Sequence, residues 1–370
     1  MTVLDLVLYS FLFVVLLQFV YFGLIFLRFG LHKYYEPTVK NIGVSVIVSA
    51  KNESHNLKAF IPQILKQNYS QFELILINDG STDDSLEIMR TFEKKDNKVK
   101  VVDVKPVDSF WNNKKYPLTL GIKAASFDFL LLTDADCRPV SENWIREMSR
   151  QFSNTKTIVL GFGSYMSKTK SFMNMLIRYE TFLTAIQYFS YALLGMPYMG
   201  VGRNLAYRKD VFFKAGGFKD HMSIPSGDDD LFINQVANTA NTAICYHRDS
   251  QTESVPETSL GSWIRQKRRH VRTARYYKTP HKLSLGLFYL SQLLFLLLGA
   301  ILLISGFNFK LTIALVILRY ILVYVVFGLA MRKLRSIDLL MIWPVLELFL
   351  VLMQLVIFIS NLTAKQNSWK

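Results

Sequence analysis

The amino-acid sequence predicts an α/β domain with a mostly parallel sheet, attached to transmembrane α-helices. Hydrophobic residues make up 51% of the 370 residues and aromatic residues make up 14%, and the mean hydropathy is +0.22. This composition is too apolar for a purely soluble protein, and the longest apolar runs lie at the two ends of the chain. Between them, short apolar runs alternate with stretches of helical spacing, which indicates parallel strands connected by crossover helices.

The N-terminal apolar run is the first predicted membrane segment. Residues 3–27 carry no charge beyond Asp5, and a hydrocarbon core needs about 20 residues to cross. No basic segment precedes the run and no small-residue cleavage site follows it, so we interpret residues 1–30 as a retained transmembrane anchor. Residues 283–360 are predicted to form three further transmembrane helices, over 283–305, 311–329 and 339–359.

The basic residues predict the orientation of these helices. Clusters of Lys and Arg lie at 28–33, 265–282 and 331–335, and four spans place all three clusters on the cytoplasmic side. Residues 34–282 then form one cytoplasmic domain of an integral protein in the inner or plasma membrane, and both termini face outward. Residues 171–194 are also apolar, but they contain Arg178 and Glu180, so we expect an amphipathic helix in the membrane interface rather than a fifth span.

The charge and the cysteine content limit the classes of partner that we expect. The formal net charge is +15, and much of it lies at 265–270 and just after it, where it predicts attraction to anionic membrane lipid. No recognised binding module accompanies this charge, so we expect no nucleic-acid partner. The two cysteines, Cys137 and Cys245, lie in the predicted cytoplasmic domain, and we expect no disulfide framework.

Within the domain, strands are predicted in order at 44–48, 73–77, 99–104 and 129–132, with helices at 57–65, 86–92 and 117–125. Asn56 is the expected N-cap of the first of these helices. Ligands bind beyond the carboxyl ends of such parallel strands.

Two carboxylates, Asp134 and Asp136, follow the strand at 129–132. Oxygen ligands one residue apart suit a hard divalent cation, Mg²⁺ or Mn²⁺, better than zinc. A chance Asp-x-Asp sequence in a turn is the alternative. The motifs around the pair favour the metal site.

These motifs follow one another in a characteristic order. They are Ser49-Ala50-Lys51-Asn52-Glu53, Asn78-Asp79-Gly80-Ser81-Thr82-Asp83, Lys114-Lys115, Asp134-Ala135-Asp136, Gly200-Val201-Gly202-Arg203-Asn204-Leu205-Ala206-Tyr207, Gly216-Gly217-Phe218, Ser226-Gly227-Asp228-Asp229-Asp230-Leu231 and Gln266-Lys267-Arg268-Arg269-His270. The set resembles the membrane-bound family 2 glycosyltransferases, whose catalytic domain has the Rossmann-like GT-A fold. Cellulose, hyaluronan and poly-N-acetylglucosamine synthases and ceramide glucosyltransferase belong to that family.

The resemblance implies a donor site, a metal site, an acceptor site and a catalytic base. The residues implied to bind a nucleotide-sugar donor are Asn52, Glu53, Asp79, Lys115, Asp134, Gln266 and Arg269. Asp134 and Asp136 are implied to hold the metal against the diphosphate. The residues implied to contact the acceptor are Gly202, Arg203 and His270. Asp228 is implied to be the base, with Asp229 as the fallback.

For several of these residues, the local sequence also allows a purely structural role. Asn52 suits a strand-to-helix turn, Lys115 suits a solvated position at a helix start, and adjacent carboxylates suit a helix N-terminus. On a helix, Gln266 and Arg269 are three residues apart and share one face, so both are expected to reach the diphosphate.

The resemblance implies an inverting transferase that moves a sugar, expected from a UDP donor, to a lipid-linked or membrane-delivered acceptor and forms a β-linkage. His270 stands where the family has the tryptophan of a Gln-x-x-Arg-Trp motif. That change weighs against the first alternative, a processive synthase that polymerises and extrudes a β-linked glycan. A non-catalytic membrane scaffold is a distant alternative, because it would not need the intact acidic and basic motif residues.

Overall fold

We analysed a computed structural model of the chain, which describes residues 2–105 and 114–363. In these residues the strands, in chain order, are β1 (Val44–Ala50), β2 (Phe72–Asp79), β3 (Val99–Val104), β4 (Phe129–Asp134), β5 (Cys137–Pro139), β6 (Ile158–Leu160), β7 (Gly163–Tyr165), β8 (Leu205–Arg208), β9 (Thr242–Ile244) and β10 (Thr252–Ser254). The α-helices are α1 (Val3–Phe19), α2 (Leu27–Leu31), α3 (Ser54–Leu65), α4 (Ser85–Lys95), α5 (Lys115–Ala124), α6 (Trp144–Ser149), α7 (Phe172–Leu193), α8 (Lys209–Lys214), α9 (Asp230–Val236), α10 (Leu260–Ala274), α11 (Thr279–Ser305), α12 (Phe309–Lys333) and α13 (Trp343–Thr363). A π-helical segment, Val20–Phe26, joins α1 to α2.

The main sheet has the strand order β3-β2-β1-β4-β8-β6-β9. Strands β3, β2, β1 and β4 are parallel neighbours, whereas β8 runs antiparallel to β4 and β6. The predicted mostly parallel α/β sheet is therefore confirmed. Because Ser49 pairs with Asp134 and Ala50 pairs with Asn78, the motifs that end β1, β2 and β4 meet at one edge.

A small second sheet, with the strand order β5-β10-β7, contains the residues that directly follow Asp134 and Asp136, which we call the acidic pair. Ser254 pairs with Cys137 in the antiparallel ladder, and the amide of Val255 donates to the carbonyl oxygen of Asp136 at 3.1 Å. The backbone of Asp136 is thus held by β10 and Val255, the segment of chain that precedes α10.

The predicted elements of the domain are present, but several begin earlier or end later than the pattern predicts. Helix α3 begins at Ser54, with Glu53 in the N-cap position, so Asn56 does not cap it. Instead the Asn56 amide donates to Glu53 Oε2 at 2.6 Å. Helix α5 begins at Lys115, two residues before Pro117, because a proline is tolerated throughout the first helical turn.

Four helices among the described residues are long and apolar enough to cross a membrane, which confirms the predicted number. They span Val3–Leu31, Thr279–Ser305, Phe309–Lys333 and Trp343–Asn361.

A buried polar network joins these four helices. Arg319 of α12 is 1% exposed and Glu347 of α13 is 2% exposed, and Arg319 Nη1 donates to Glu347 Oε2 at 2.8 Å. Gln18 Oε1 of α1 accepts from Arg319 Nη2 at 3.0 Å, and Gln292 Nε2 of α11 donates to Glu347 Oε1 at 3.2 Å. An ion pair at this depth is costly unless every polar group is satisfied, so the network specifies how the four helices pack.

Helix α7, predicted over residues 171–194 as an amphipathic helix in the membrane interface, lies mostly inside the protein, and its place relative to the interface stays a prediction. Phe172 is the one residue of the helix that is exposed, and most of the others are buried. Phe182 packs its ring edge-on against Phe327 of α12, and Arg178 makes two hydrogen bonds to Asp338, at 2.6 and 2.7 Å. The helix is enclosed between the sheet and the membrane helices, because both of its sides have protein partners.

Candidate active site

The carboxylates of Asp134 and Asp136 lie together at the end of β4. One ligand atom from each of these residues and the Cys137 sulfur lie within 4.8 Å of one another. Burial opposes ionisation of Asp134, but Lys114, whose Nζ lies 2.6 Å from Asp134 Oδ1, holds its pKa below the usual range. Burial and the neighbouring Asp134 raise the pKa of Asp136 to about 6.

The donor set at this point fits a hard divalent cation. The Cys137 thiol contacts Ser254 Oγ at 2.8 Å and donates to Asp136 Oδ1 at 3.3 Å. Burial raises its pKa well above the usual range, so the sulfur stays a neutral thiol and is a poor ligand. The two carboxylates remain as oxygen ligands of the kind that Mg²⁺ and Mn²⁺ prefer.

Lys114, and not Lys115, is the lysine that reaches the acidic pair. Its Nζ also lies 3.4 Å from Asp228 Oδ2, so one ammonium group links the strand-end carboxylate to the predicted base. The sequence shows two adjacent lysines, and only the rotation of α5 decides which of them faces the site.

Lys115 is buried, so the interpretation as a solvated lysine at a helix start is wrong. Its side chain is 1% exposed, and its Nζ donates to the backbone carbonyls of His221, Ile224 and Ser226 at 2.6, 2.9 and 2.9 Å. Burial lowers its pKa to about 8. Lys115 therefore fastens the loop that leads into Asp228 instead of pointing at the position predicted for the diphosphate.

Replacing Lys115 with methionine is expected to lower the free energy of unfolding by ~2–3 kcal/mol, because buried carbonyls lose their donor. Turnover should fall with it, because the carbonyls of His221, Ile224 and Ser226 that Lys115 Nζ holds belong to the loop that leads into Asp228, whereas donor affinity should stay within about twofold of wild type. Lys123→Met, an exposed lysine on the same helix, is the matched control for unfolding and donor titration. If the Lys115→Met variant had normal stability but bound the donor more weakly, Lys115 would be assigned to diphosphate binding instead.

The three adjacent aspartates before α9 have different surroundings. Asp230 is buried, and its Oδ2 accepts hydrogen bonds from Thr273 and, at 2.7 Å, from Tyr277. Asp229 Oδ2 accepts from the Gly202 amide at 2.7 Å, and its Oδ1 accepts from the Asp230 amide at 2.7 Å. Burial and the two neighbouring carboxylates raise the pKa of Asp229 to about 7. Asp230 thus ties α9 to α10, while Asp228 faces Lys114.

The predicted nucleotide residues line the ends of β1 and β2. Asn52 has a positive φ of 59°, and its Oδ1 accepts from the Thr82 amide at 2.8 Å, so it forms the strand-to-helix turn that was its alternative interpretation. The Glu53 amide donates to Ser85 Oγ at 2.8 Å. Burial raises the pKa of Glu53 and that of Asp79. Both carboxyl groups lie at the edge of the sheet where β4 ends in Asp134.

A cavity of about 590 Å³ opens beside the acidic pair. Asp134, Asp136 and Arg203 line one end of it, and the opposite end reaches Tyr289 of α11 and Phe358 of α13. The cavity therefore runs from the strand ends to the membrane helices.

Helix α10 presents Gln266 and His270 to this cavity. Arg269 is exposed and is not among the described residues that line the cavity, so its expected contact with the diphosphate stays a prediction. The fourth residue along a helix lies closer in angle than the third, which explains why His270 takes this place. His270 is itself exposed; partial desolvation by the surrounding protein and the cations Lys267, Arg269 and Arg203 lower the pKa of its imidazole below the usual range.

The acceptor residues implied by the resemblance lie between these groups. The Gly202 amide is held by Asp229, and the Arg203 guanidinium lies over the Tyr165 ring at 4.4 Å. Both Gly202 and Arg203 line the cavity. The structure thus brings the predicted metal and acceptor residues and the fallback base Asp229 around one space. Asp228 is absent from the described lining of this cavity and lies beside it with Lys114, Asp134 and Asp229.

Comparisons with known proteins agree with this arrangement. Residues 45–213 match the model of Glycosyl transferase family 2. Glycosyltransferase GlyG of Streptococcus pneumoniae is 32% identical over 128 residues, which cover 35% of this chain and 40% of that protein. A poly-beta-1,6-N-acetyl-D-glucosamine synthase of Staphylococcus epidermidis is 35% identical over 94 residues, which cover 25% of this chain and 22% of that protein. The chain thus spans less than half the length of these relatives.

The fold also has a close counterpart among solved structures. The mannosyltransferase PcManGT from Pyrobaculum calidifontis, solved with GDP-Man and Mn²⁺, superposes with a TM-score of 0.63 at 16% identity, over 98% of this chain and all of that one. At this identity the likeness concerns the fold. Residues 45–213 of this chain thus match the Glycosyl transferase family 2 model, and the chain has the same fold as the glycosyltransferase PcManGT.

Proposed function

We propose that this protein is a metal-dependent, inverting glycosyltransferase that moves a sugar from a nucleotide-sugar donor to a lipid-linked or membrane-delivered acceptor. The observation that carries the proposal is the single cavity, which begins at Asp134 and Asp136 and ends among helices long enough to cross a membrane. A donor could enter from the strand ends and an acceptor from the membrane side of that same space.

Two findings support the donor and the metal. The structural neighbour PcManGT was solved with GDP-Man and Mn²⁺, and this chain has an oxygen donor pair at the end of β4. A Mg²⁺ or Mn²⁺ ion held by Asp134 and Asp136 would neutralise the charge that develops on the departing nucleoside diphosphate. A UDP-sugar remains our proposed donor, and Lys114 supplies a further positive charge next to Asp134.

The acceptor is activated by a carboxylate in this proposal. Asp228 takes the proton from the acceptor hydroxyl, whose oxygen forms the bond to the anomeric carbon as the bond to the diphosphate breaks. Attack opposite to the leaving group inverts that carbon, so an α-linked donor yields a β-linked product.

A cytoplasmic catalytic domain is supported by where the basic segments meet. Lys333 Nζ donates to the carbonyl oxygens of Phe29 and His32 at 2.7 and 2.6 Å. The ends of the first and third membrane helices therefore lie together, next to the catalytic domain. By the positive-inside rule, this end faces the cytoplasm, where nucleotide sugars are available.

A processive polysaccharide synthase is the second candidate. The similarity to poly-beta-1,6-N-acetyl-D-glucosamine synthases favours it, whereas His270 in place of the family's tryptophan weighs against it. Product size separates the two candidates, because a ladder of long polymer made from purified protein and donor would support the synthase.

The experiment that tests the proposal is a panel of UDP- and GDP-sugars incubated with the purified full-length chain. Membrane lipid extract serves as the acceptor source, and released nucleoside diphosphate is measured. Release that requires both a donor and the extract is expected. Binding of donors without release under all these conditions would favour the scaffold alternative.

Replacing Asp136 with alanine is expected to weaken metal-dependent donor binding by about tenfold or more, since one of two carboxylate ligands is lost. Calorimetric titration of the donor with and without Mn²⁺ measures this directly. Asp128→Ala, an exposed aspartate just before the same strand, is the control. An Mn²⁺ dependence equal to that of wild type would remove Asp136 from the metal site.

A further inference from the structure

Helix α7 carries polar side chains that lie outside the family motifs. Glu180, Thr184 and Gln187 lie at positions i, i+4 and i+7, so they share one face of the helix. All three line the cavity, together with the adjacent Thr181. We refer to Glu180, Thr181, Thr184 and Gln187 as the α7 stripe.

The charge of the α7 stripe is neutralised within the protein. Lys267 Nζ of α10 lies 2.5 Å from Glu180 Oε2, and the Thr184 hydroxyl donates to Glu180 Oε1 at 3.2 Å. The pair is mostly buried, with side-chain exposures of 12% for Lys267 and 14% for Glu180. The stripe therefore presents paired polar groups rather than net positive charge.

One member of the stripe lacks a partner. Thr181 is 5% exposed, and its hydroxyl oxygen makes no hydrogen bond to any residue that the structure describes. Leaving such a group unpaired costs free energy. Thr181 lines the cavity, but its hydroxyl oxygen is itself buried. Rotation about χ1, which threonine tolerates in a helix, would turn it toward the cavity, where a ligand hydroxyl can donate to it or accept from it.

The position of the stripe fits the acceptor. Across the same cavity lie Gln266 and His270 of α10, and the cavity continues past the stripe to α11 and α13. A headgroup that enters this cavity from the membrane helices therefore meets residues of α7 and α10 in the same space that Asp229 lines.

We propose that the α7 stripe is the acceptor subsite and takes the hydroxyl groups of a neutral sugar or polyol headgroup on a membrane lipid. This inference rests on the proposed transferase function. Hydroxyl groups match a threonine hydroxyl, a glutamine amide and a carboxylate, whereas a phosphate offers mainly acceptors and finds no net positive charge in the Lys267–Glu180 pair. Arg275 and Lys282 also line the cavity, so a lipid phosphate is the outcome that the experiment must separate.

The experiment uses the full-length chain with a membrane lipid extract split by anion exchange into neutral and anionic fractions, each incorporated into phosphatidylcholine vesicles. Transfer is expected with the neutral fraction. Thr181→Val, Thr184→Val and Gln187→Leu should each raise the KM for that fraction about five- to tenfold, as expected for one lost hydrogen bond. The KM for the donor and the turnover at saturating acceptor should stay within about twofold.

Ser190→Ala is the matched control, because Ser190 is a buried, unpaired hydroxyl on the same helix and is absent from the described cavity wall. Its acceptor KM should equal that of wild type. Donor titration checks that each variant is folded, and the half-buried Gln187 provides a variant that does not disturb a core position.

Transfer confined to the anionic fraction overturns the inference, as does an unchanged acceptor KM in all three stripe variants. Failure of the underlying function looks different, because wild-type protein would then release no nucleoside diphosphate with either fraction. That result would overturn the transferase and the subsite together.

Discussion

Replacing Asp228 with asparagine is expected to slow sugar transfer by about 10²–10⁴-fold, the usual contribution of a positioned general base. Asparagine has nearly the same shape but cannot take the proton of the acceptor hydroxyl. Donor affinity should stay within about twofold, because the metal and diphosphate residues are unchanged. Nucleoside diphosphate release measures the first effect, and calorimetric donor titration measures the second.

Asp229→Asn is the paired variant that decides between the two candidate bases. Both carboxylate oxygens of Asp229 accept backbone amide hydrogens, so asparagine should loosen the contact with Gly202 and lower stability. If Asp229 were the base, its raised pKa of about 7 would make the wild-type rate increase as the pH rises through about 7. That profile, with wild-type turnover in Asp228→Asn, would transfer the assignment to Asp229.

Replacing Arg319 with methionine is expected to lower the free energy of unfolding by ~3–5 kcal/mol, the usual cost of leaving one partner of a buried ion pair unpaired. The lost guanidinium also leaves Gln18 Oε1 without the two hydrogen bonds that it accepts from Arg319, so the contact between the first and third membrane helices weakens. Thermal unfolding of the detergent-solubilised full-length chain measures the effect. Lys310→Met, near the start of the same helix, is the control.

A second substitution tests whether the ion pair itself is responsible. Arg319→Met combined with Glu347→Leu removes both charges, and this double variant should be more stable than Arg319→Met alone, since no unpaired charge remains. A single Arg319→Met variant with wild-type stability would show that the network does not hold the four helices together.

The fold was predictable because its signals are local. Strands such as β3 are short apolar runs between turn residues, and the membrane helices exceed the length that the hydrocarbon core requires. Element ends were less predictable, as at α3, where Glu53 rather than Asn56 occupies the N-cap. Helix α7 has a composition like that of an interfacial helix, but other parts of the protein enclose it. That burial depends on tertiary packing, so the sequence of the helix does not reveal it.

The acidic motifs were predictable in the same way, since strand ends place Asp79 and Asp134 at one edge regardless of the details. The roles of adjacent residues were not. Lys114 and Lys115 are identical in type, yet one contacts Asp134 and the other holds three loop carbonyls. Likewise, Asp228 and Asp230 differ in whether they face Lys114 or are buried against α10.

Sequence alone was therefore sufficient for the α/β class, the four apolar helices and the acidic pair Asp134 and Asp136, because periodicity, run length and strand order act over short stretches of chain. Tertiary structure decided which lysine and which helix face meet the site, because one residue of helix rotates a side chain by about 100°. It also placed the α7 stripe on the cavity wall, which depends on the packing of α7 against α10 and cannot be read from either segment.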